Sequence, residues 1–183
     1  FAVLGVSPID TKKAEILLSS VDNAYAESLL ERIEGLGLNV IAQEPEPISM
    51  VRALAPVGVQ DARMIIDLGE TSTDLVVMYQ DSPRLVRSIP GGLASFVKVV
   101  EDSLKVREDQ ARQFILKFGL AQDKLEGKVY NALSSTLENF ALELTKSVRF
   151  FQNRYTGAQV GGIVLSGFSG IIPFIAEYIE MKT

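Results

Sequence analysis

The chain has no cysteine and no histidine. The first absence excludes disulfides and thiolate zinc sites, and it fits a reducing compartment. The second excludes Ser–His–Asp catalysis, Cys–His catalysis and imidazole metal ligation together. Any chemistry must rest on carboxylates, hydroxyls, backbone dipoles or a bound metal. Basic charge is scarce: 18 Lys and Arg stand against 23 Asp and Glu, for a net charge of −5. Lys12–Lys13 is the only adjacent basic pair, so a nucleic-acid partner is not expected. No apolar run approaches the roughly 20 residues of a membrane helix, and no signal peptide is visible. The first residue is Phe1, not methionine, inside a strand-like apolar run. A piece of a longer protein is expected.

With 183 residues, 47% hydrophobic and 22% charged, the chain has the composition of one large globular domain or two small ones. Its most informative stretch is Arg63–Tyr79, RMIIDLGETSTDLVVMY. Met64–Leu68 and Leu75–Met78 read as the strands of a hairpin, separated by Gly69, Glu70, Thr71, Ser72, Thr73 and Asp74. A turn with a glycine and three hydroxyl residues can aim backbone N–H groups and short donors at one point. That arrangement cradles a phosphate without a large cationic side chain. Asp67 would put a carboxylate beside it, where magnesium is commonly held by one or two carboxylates plus water. The same residues also make an ordinary turn, and the stretch alone leaves both readings open.

Upstream, Phe1–Val6 and Ala14–Val21 read as a strand pair around the turn residues Ser7–Lys12. Asp22 or Asn23 can cap a helix through about Leu36, with Tyr25, Leu29, Leu30 and Ile33 at helical spacing. Leu38–Ala42 reads as a strand, and Pro47 suits the first turn of a short helix to Leu54. This order favours a parallel or mixed α/β layer. Pro56 and Gly58 mark a boundary between residues 1–56 and 57–183.

Downstream, Leu85–Ile89 makes a third strand of a meander. Pro90-Gly91-Gly92 then opens a helix from Leu93 to Leu104, and two glycines there admit an anion or simply punctuate the chain. A helical insertion spans about 105–157. Within it, a short helix from Glu108 to Phe118 ends at Gly119. A long one starts at Asp123, with Leu125, Val129, Leu133, Leu137, Phe140, Leu144, Val148, Phe151 and Tyr155 in one stripe. Val160–Ser166 reads as a strand and Gly167–Gly170 as a tight turn. A final helix is expected from Ile171 to about Met181, with Pro173 in its first turn.

Three pieces stand in order: IDLGETSTD (Ile66–Asp74), SIPGG (Ser88–Gly92) before a helix, and IVLSGFSGIIPFIAEYI (Ile163–Ile179) after a helical insertion. Together they resemble the second half of the actin-like ATPases, with the type IV pilus assembly protein PilM family nearest and the cell-division FtsA family next. Residues 14–54 are similar to the back half of the family's first lobe. The resemblance implies an α/β, actin-like ATPase (ribonuclease H-like) fold with mixed sheets flanked by helices. Residues 1–56 would be the back of the first lobe and 57–183 the second.

The resemblance also implies ATP and Mg2+ as ligands of the intact family member. Asp67 would reach the magnesium through water. Gly69, Thr71, Ser72 and Thr73 would line the phosphate loop, and Gly167 and Gly170 would lie under the nucleoside. No catalytic residue is assigned, and at most a weak ATPase is expected. The implied role is a cytoplasmic adaptor at the inner membrane that binds the N-terminal tail of PilN. The alternatives are an actin-fold ATPase or a self-associating, FtsA-like filament protein. Three departures weaken the expected site. Phe168 stands where relatives have a second glycine, Glu70 adds negative charge to the loop, and Ile115 replaces a lysine. Weak or absent ATP binding by this chain is therefore expected.

Overall fold

The computed structural model describes residues 1–55, 58 and 61–183. The expected boundary at residues 56 and 57 lies outside them. Strand β1 (Ala2–Val6) pairs antiparallel with β2 (Ala14–Leu17), as the apolar runs predict. Helix α1 (Asn23–Glu34) follows, capped by the Asp22 carboxylate, which accepts the Tyr25 N–H at 2.9 Å. Its expected apolar stripe is not buried: α1 contains no buried residue, and Tyr25 is 64% exposed. The strand expected at Leu38–Ala42 is absent. A strand needs a hydrogen-bonding partner, and among the described residues β1 and β2 pair only with each other. Helix α2 (Glu46–Leu54) carries Pro47 in its first turn, as expected.

The body is a four-stranded mixed sheet. Strands β3 (Ala62–Leu68), β4 (Ser72–Tyr79) and β5 (Ser82–Pro90) form the antiparallel meander. Strand β6 (Val160–Gly167) runs parallel to β3 on its other side, giving the order β5-β4-β3-β6. Alternate residues of β3 and β4 serve two cores, because strand side chains alternate between faces. Met64, Ile66, Leu68, Leu75 and Val77 enter the main core. Ile65, Val76 and Met78 meet Met50 and Val51 of α2 on the opposite face.

Helices α3 (Leu93–Leu104), α4 (Glu108–Phe118), α5 (Lys128–Arg154) and α6 (Ile175–Lys182) close the main core. The long stripe expected on α5 is real, with Val129, Leu133, Leu137, Phe140, Leu144 and Phe151 all buried. Its start differs from the expectation. Leu125, Glu126 and Gly127 all have positive φ, so the helix begins at Lys128 rather than Asp123, and Leu125 is left 41% exposed. Helix α6 likewise begins at Ile175, not Ile171 (Ile175–Lys182). Pro173 belongs instead to a segment seated on α4: its carbonyl accepts the Leu120 N–H at 3.0 Å. Gly119 lies so close that a Cβ there would come within 2.2 Å of the Pro173 carbonyl oxygen.

One buried charge ties the β1–β2 hairpin to the body. Glu15 of β2 accepts hydrogen bonds from Arg84 of β5 at 2.6 Å, from Arg154 of α5 at 2.9 Å and from the Tyr155 hydroxyl. Burial raises its carboxyl pKa, but the bonds from Tyr155 and Arg154 and the charge of Arg84 outweigh that. The group is held below the usual carboxylate range.

Candidate functional site

The two turns singled out from sequence meet at one end of the sheet. Strands β3 and β6 are parallel neighbours with Asp67 opposite Ser166 and Leu68 opposite Gly167. The hairpin turn after β3 and the turn after β6 therefore leave from the same, carboxyl end of adjacent parallel strands. In open α/β sheets, ligands bind outside that end.

The hairpin loop is shorter than the sequence suggests. Strand β4 starts at Ser72 rather than Leu75, so the loop is Glu70–Thr71, closed by the Gly69 N–H donating to the Ser72 carbonyl at 2.9 Å. Its carbonyls point inward. The Gly69 and Glu70 oxygens accept the Leu93 and Ala94 N–H groups of α3, each at 2.9 Å, and the Thr71 oxygen accepts the Gly91 N–H at 3.2 Å. This settles the use of the glycine pair before α3. Gly92 allows backbone to meet backbone: a Cβ there would sit 2.4 Å from the Gly69 carbonyl oxygen. The two leading N–H groups of α3 are consumed by the loop and do not face an incoming anion.

With its carbonyls turned in, the loop presents its N–H groups outward. Among the described residues, the N–H groups of Glu70 and Thr71 and the hydroxyls of Thr71 and Ser72 have no protein partner. Thr73 differs from its expected role. It is fully buried and its hydroxyl donates to the Gly91 carbonyl at 2.8 Å, pinning the loop from beneath. The parity of the strand explains this, because Thr73 shares its face with Leu75 and the main core.

Asp67 lies on the opposite face, half-buried, and has no hydrogen bond or ion pair among the described residues. Register places Asp74 directly across from it, a separation of roughly 4.5–5.5 Å between Cβ atoms. Like charges opposite one another disfavour the sheet, and no basic side chain neutralises either within the described residues. A cation would. No cluster of three metal-ligating side chains exists among the described residues. Magnesium does not need one, since it is usually held by one or two carboxylates, several waters and a phosphate. The donor set fits Mg2+ with a phosphorylated ligand. Asp74 was not singled out from sequence as a site residue; counting back from a two-residue loop at Glu70–Thr71 pairs it with Asp67.

Gly167 and Gly170 do different work. Gly167 has φ of 61°, and a Cβ there would come within 2.7 Å of the Asp67 carboxylate and 2.6 Å of the Leu68 carbonyl. A residue without a side chain is needed for β6 to end beside Asp67. Gly170 has no such constraint, its nearest neighbour being the Leu165 carbonyl at 3.9 Å. Between them Ser169 is buried, and its hydroxyl donates to the Ser166 carbonyl at 2.6 Å. Phe168 is half-buried and packs against the main core. Ile115 is fully buried in α4 and brings no charge to the site.

Glu70 is engaged rather than free. Both its carboxylate oxygens are held by the Arg112 guanidinium of α4, Nη1 to Oε2 at 3.0 Å and Nη2 to Oε1. The Arg112 hydrogen bond holds the Glu70 carboxyl below its usual range. Sequence reading noted Glu70 but not its partner, which is 42 residues away.

No family model and no curated protein sequence matches the chain. Solved structures do. The PilM–PilN type IV pilus biogenesis complex matches at a TM-score of 0.67 and 22% identity, over 86% of this chain and 44% of that one. The ethanolamine utilization protein EutJ from Carboxydothermus hydrogenoformans gives 0.65 and 18%, over 86% and 53%. MreB5 of Spiroplasma citri bound to AMPPNP gives 0.60 and 14%, over 89% and 65%. The chain thus spans between 44% and 65% of the length of these three structures. Their likeness shows the fold: this chain has an actin-like ATPase fold, with its mixed sheet flanked by helices.

Proposed function

We infer that this chain serves in a type IV pilus machine as part of an actin-like adaptor. Its partner in this reading is the N-terminal tail of a PilN-like membrane protein. The observation that carries it is the likeness to the PilM–PilN complex over most of the chain. The adaptor would be cytoplasmic and recruited to the inner membrane by that tail. Among the described residues no helix is long and apolar enough to cross a membrane itself. A peptide of the PilN-like tail, titrated into the intact protein and followed by fluorescence anisotropy, should bind saturably. Absence of binding would remove the adaptor reading.

The site at the end of β3 and β6 supports a nucleotide role beside this one. Asp67 and Asp74 would hold Mg2+ through water, and the outward N–H groups and hydroxyls of Glu70–Ser72 would receive phosphate oxygens. Gly167 keeps the second turn close to Asp67, and Gly170 would lie under the nucleoside. Bound Mg2+ neutralises phosphate charge and orients the terminal phosphoryl group. Nothing at this site is assigned as a general base, so catalysis is at most a weak ATPase. The alternative reading is an actin-fold ATPase or an FtsA-like, self-associating filament protein. It is favoured by the likeness to MreB5 bound to AMPPNP. Filaments of the intact protein in electron micrographs, formed only with ATP, would support that alternative over the adaptor.

A further inference from the structure

Helix α4 links the hairpin loop to the segment that follows the Gly167–Gly170 turn. From its middle, Arg112 holds the tip of the hairpin loop through Glu70. At its end, Gly119 and Leu120 lock onto Pro173, just beyond the Gly167–Gly170 turn. Seven residues of helix separate the two contacts, about 10 Å at 1.5 Å per residue. The loop tip is thus not mobile at will; it is strapped to a rigid strut by one side chain. That side chain is also the only basic group paired with the loop among the described residues.

An arginine fork matches a carboxylate and a phosphate equally well, because both present two oxygens in a plane to two parallel N–H donors. Glu70 therefore stands on Arg112 as a tethered competitor of any phosphate that approaches the loop. While paired, it occupies the one basic side chain that meets the loop among the described residues and leaves a carboxylate at the loop tip. The pair is partly exposed, with side chains 45% and 31% accessible for Glu70 and Arg112, so its own strength is modest and a multiply charged ligand can displace it.

We propose that the Glu70–Arg112 pair is a built-in clamp on the phosphate loop, opened when a polyphosphate takes the place of Glu70 on Arg112. The ligand class is a magnesium-bound di- or triphosphate. The inference rests on the nucleotide reading of this site, and the experiment separates the two. Mg-ATP and Mg-tripolyphosphate are titrated calorimetrically into the intact protein and its Glu70→Gln, Arg112→Gln, double and Asp67→Ala variants, after thermal melts confirm that each is folded. Glu70→Gln should bind both ligands about tenfold more tightly, within the usual range of coupling between sites. Arg112→Gln should bind no more tightly than the wild type, and the double variant should lose the gain.

Equal binding by Glu70→Gln and wild type overturns the clamp. A gain in Arg112→Gln equal to that in Glu70→Gln overturns it too, since the arginine then plays no part with phosphate. If ATP binds in an Asp67-dependent way while Glu70→Gln changes nothing, the nucleotide site stands and the clamp falls. If tripolyphosphate gains in Glu70→Gln while ATP binds to no variant, the clamp stands and the nucleotide reading falls. Failure of every variant to bind either ligand removes both.

Discussion

Gly92 sits where a methyl group has no room. Its Cα is pressed against the Gly69 and Glu70 backbone, and that contact hands two loop carbonyls to α3. Gly92→Ala should lower stability by about 1–3 kcal/mol, the usual cost of forcing extra volume into a packed site. It should also shift the amide resonances of Gly69–Ser72. Gly170→Ala should stay within about 0.5 kcal/mol of the wild type, as an unconstrained surface change does. Chemical denaturation of both variants checks the contrast.

Glu15 carries the other single-residue prediction. Removing its carboxylate leaves Arg84 buried without a counter-charge, a defect of about 3–5 kcal/mol in comparable buried pairs. Release of the hairpin relieves it. Amides of Ala2–Val6 and Ala14–Leu17 should lose protection from hydrogen exchange in Glu15→Ala, while those of β3 keep theirs. The pH dependence follows from the depressed carboxyl pKa. A group of that kind stabilises the docked state above the usual carboxylate range, and its contribution is lost as pH falls through the depressed value. Near-ultraviolet circular dichroism of the tyrosine cluster around Tyr155 should hold through mild acid and change only below that range.

Helices α1 and α5 show why periodicity alone does not give burial. Both carry apolar residues at steps of three and four, yet α5 fills the main core and α1 buries nothing. The sequence states which face of a helix is apolar; what covers that face is a tertiary fact. Leu137→Ala should therefore cost about 2–5 kcal/mol. Leu30→Ala should cost far less, and thermal melts compare the two. The misplaced starts of α5 and α6 have a related cause. Leu125, Glu126 and Phe174 adopt positive φ, a state that no composition rule assigns to such residues. The segment before α6 is held there by α4, which is far away in sequence. Strand Leu38–Ala42 failed for want of a partner. The meander, α3, α4 and β6 were legible because each depends on local apolar patterning and on glycine or proline punctuation.

At the scale of the whole molecule, topology makes the site. Parallel pairing of β3 with β6, more than 90 residues apart in the chain, sets the Gly167 turn beside Asp67. The residue types at both turns were readable in advance. Their division between the two faces of the sheet was not, because it hangs on strand parity: Thr73 turns to the main core, while Asp67 and Asp74 lie on the opposite face. The Arg112 strap was invisible for a different reason, since an ion pair across two elements leaves no local signature.

The most direct measurement is Mg-ATP binding by the intact protein with and without Asp67→Ala, followed by calorimetry with Mg2+ present and with it chelated. A site of this construction should bind ATP weakly, only with Mg2+, and not at all in Asp67→Ala. Tight binding in the wild type, or binding indifferent to Mg2+ or to Asp67, would contradict a metal-dependent phosphate site at the ends of β3 and β6.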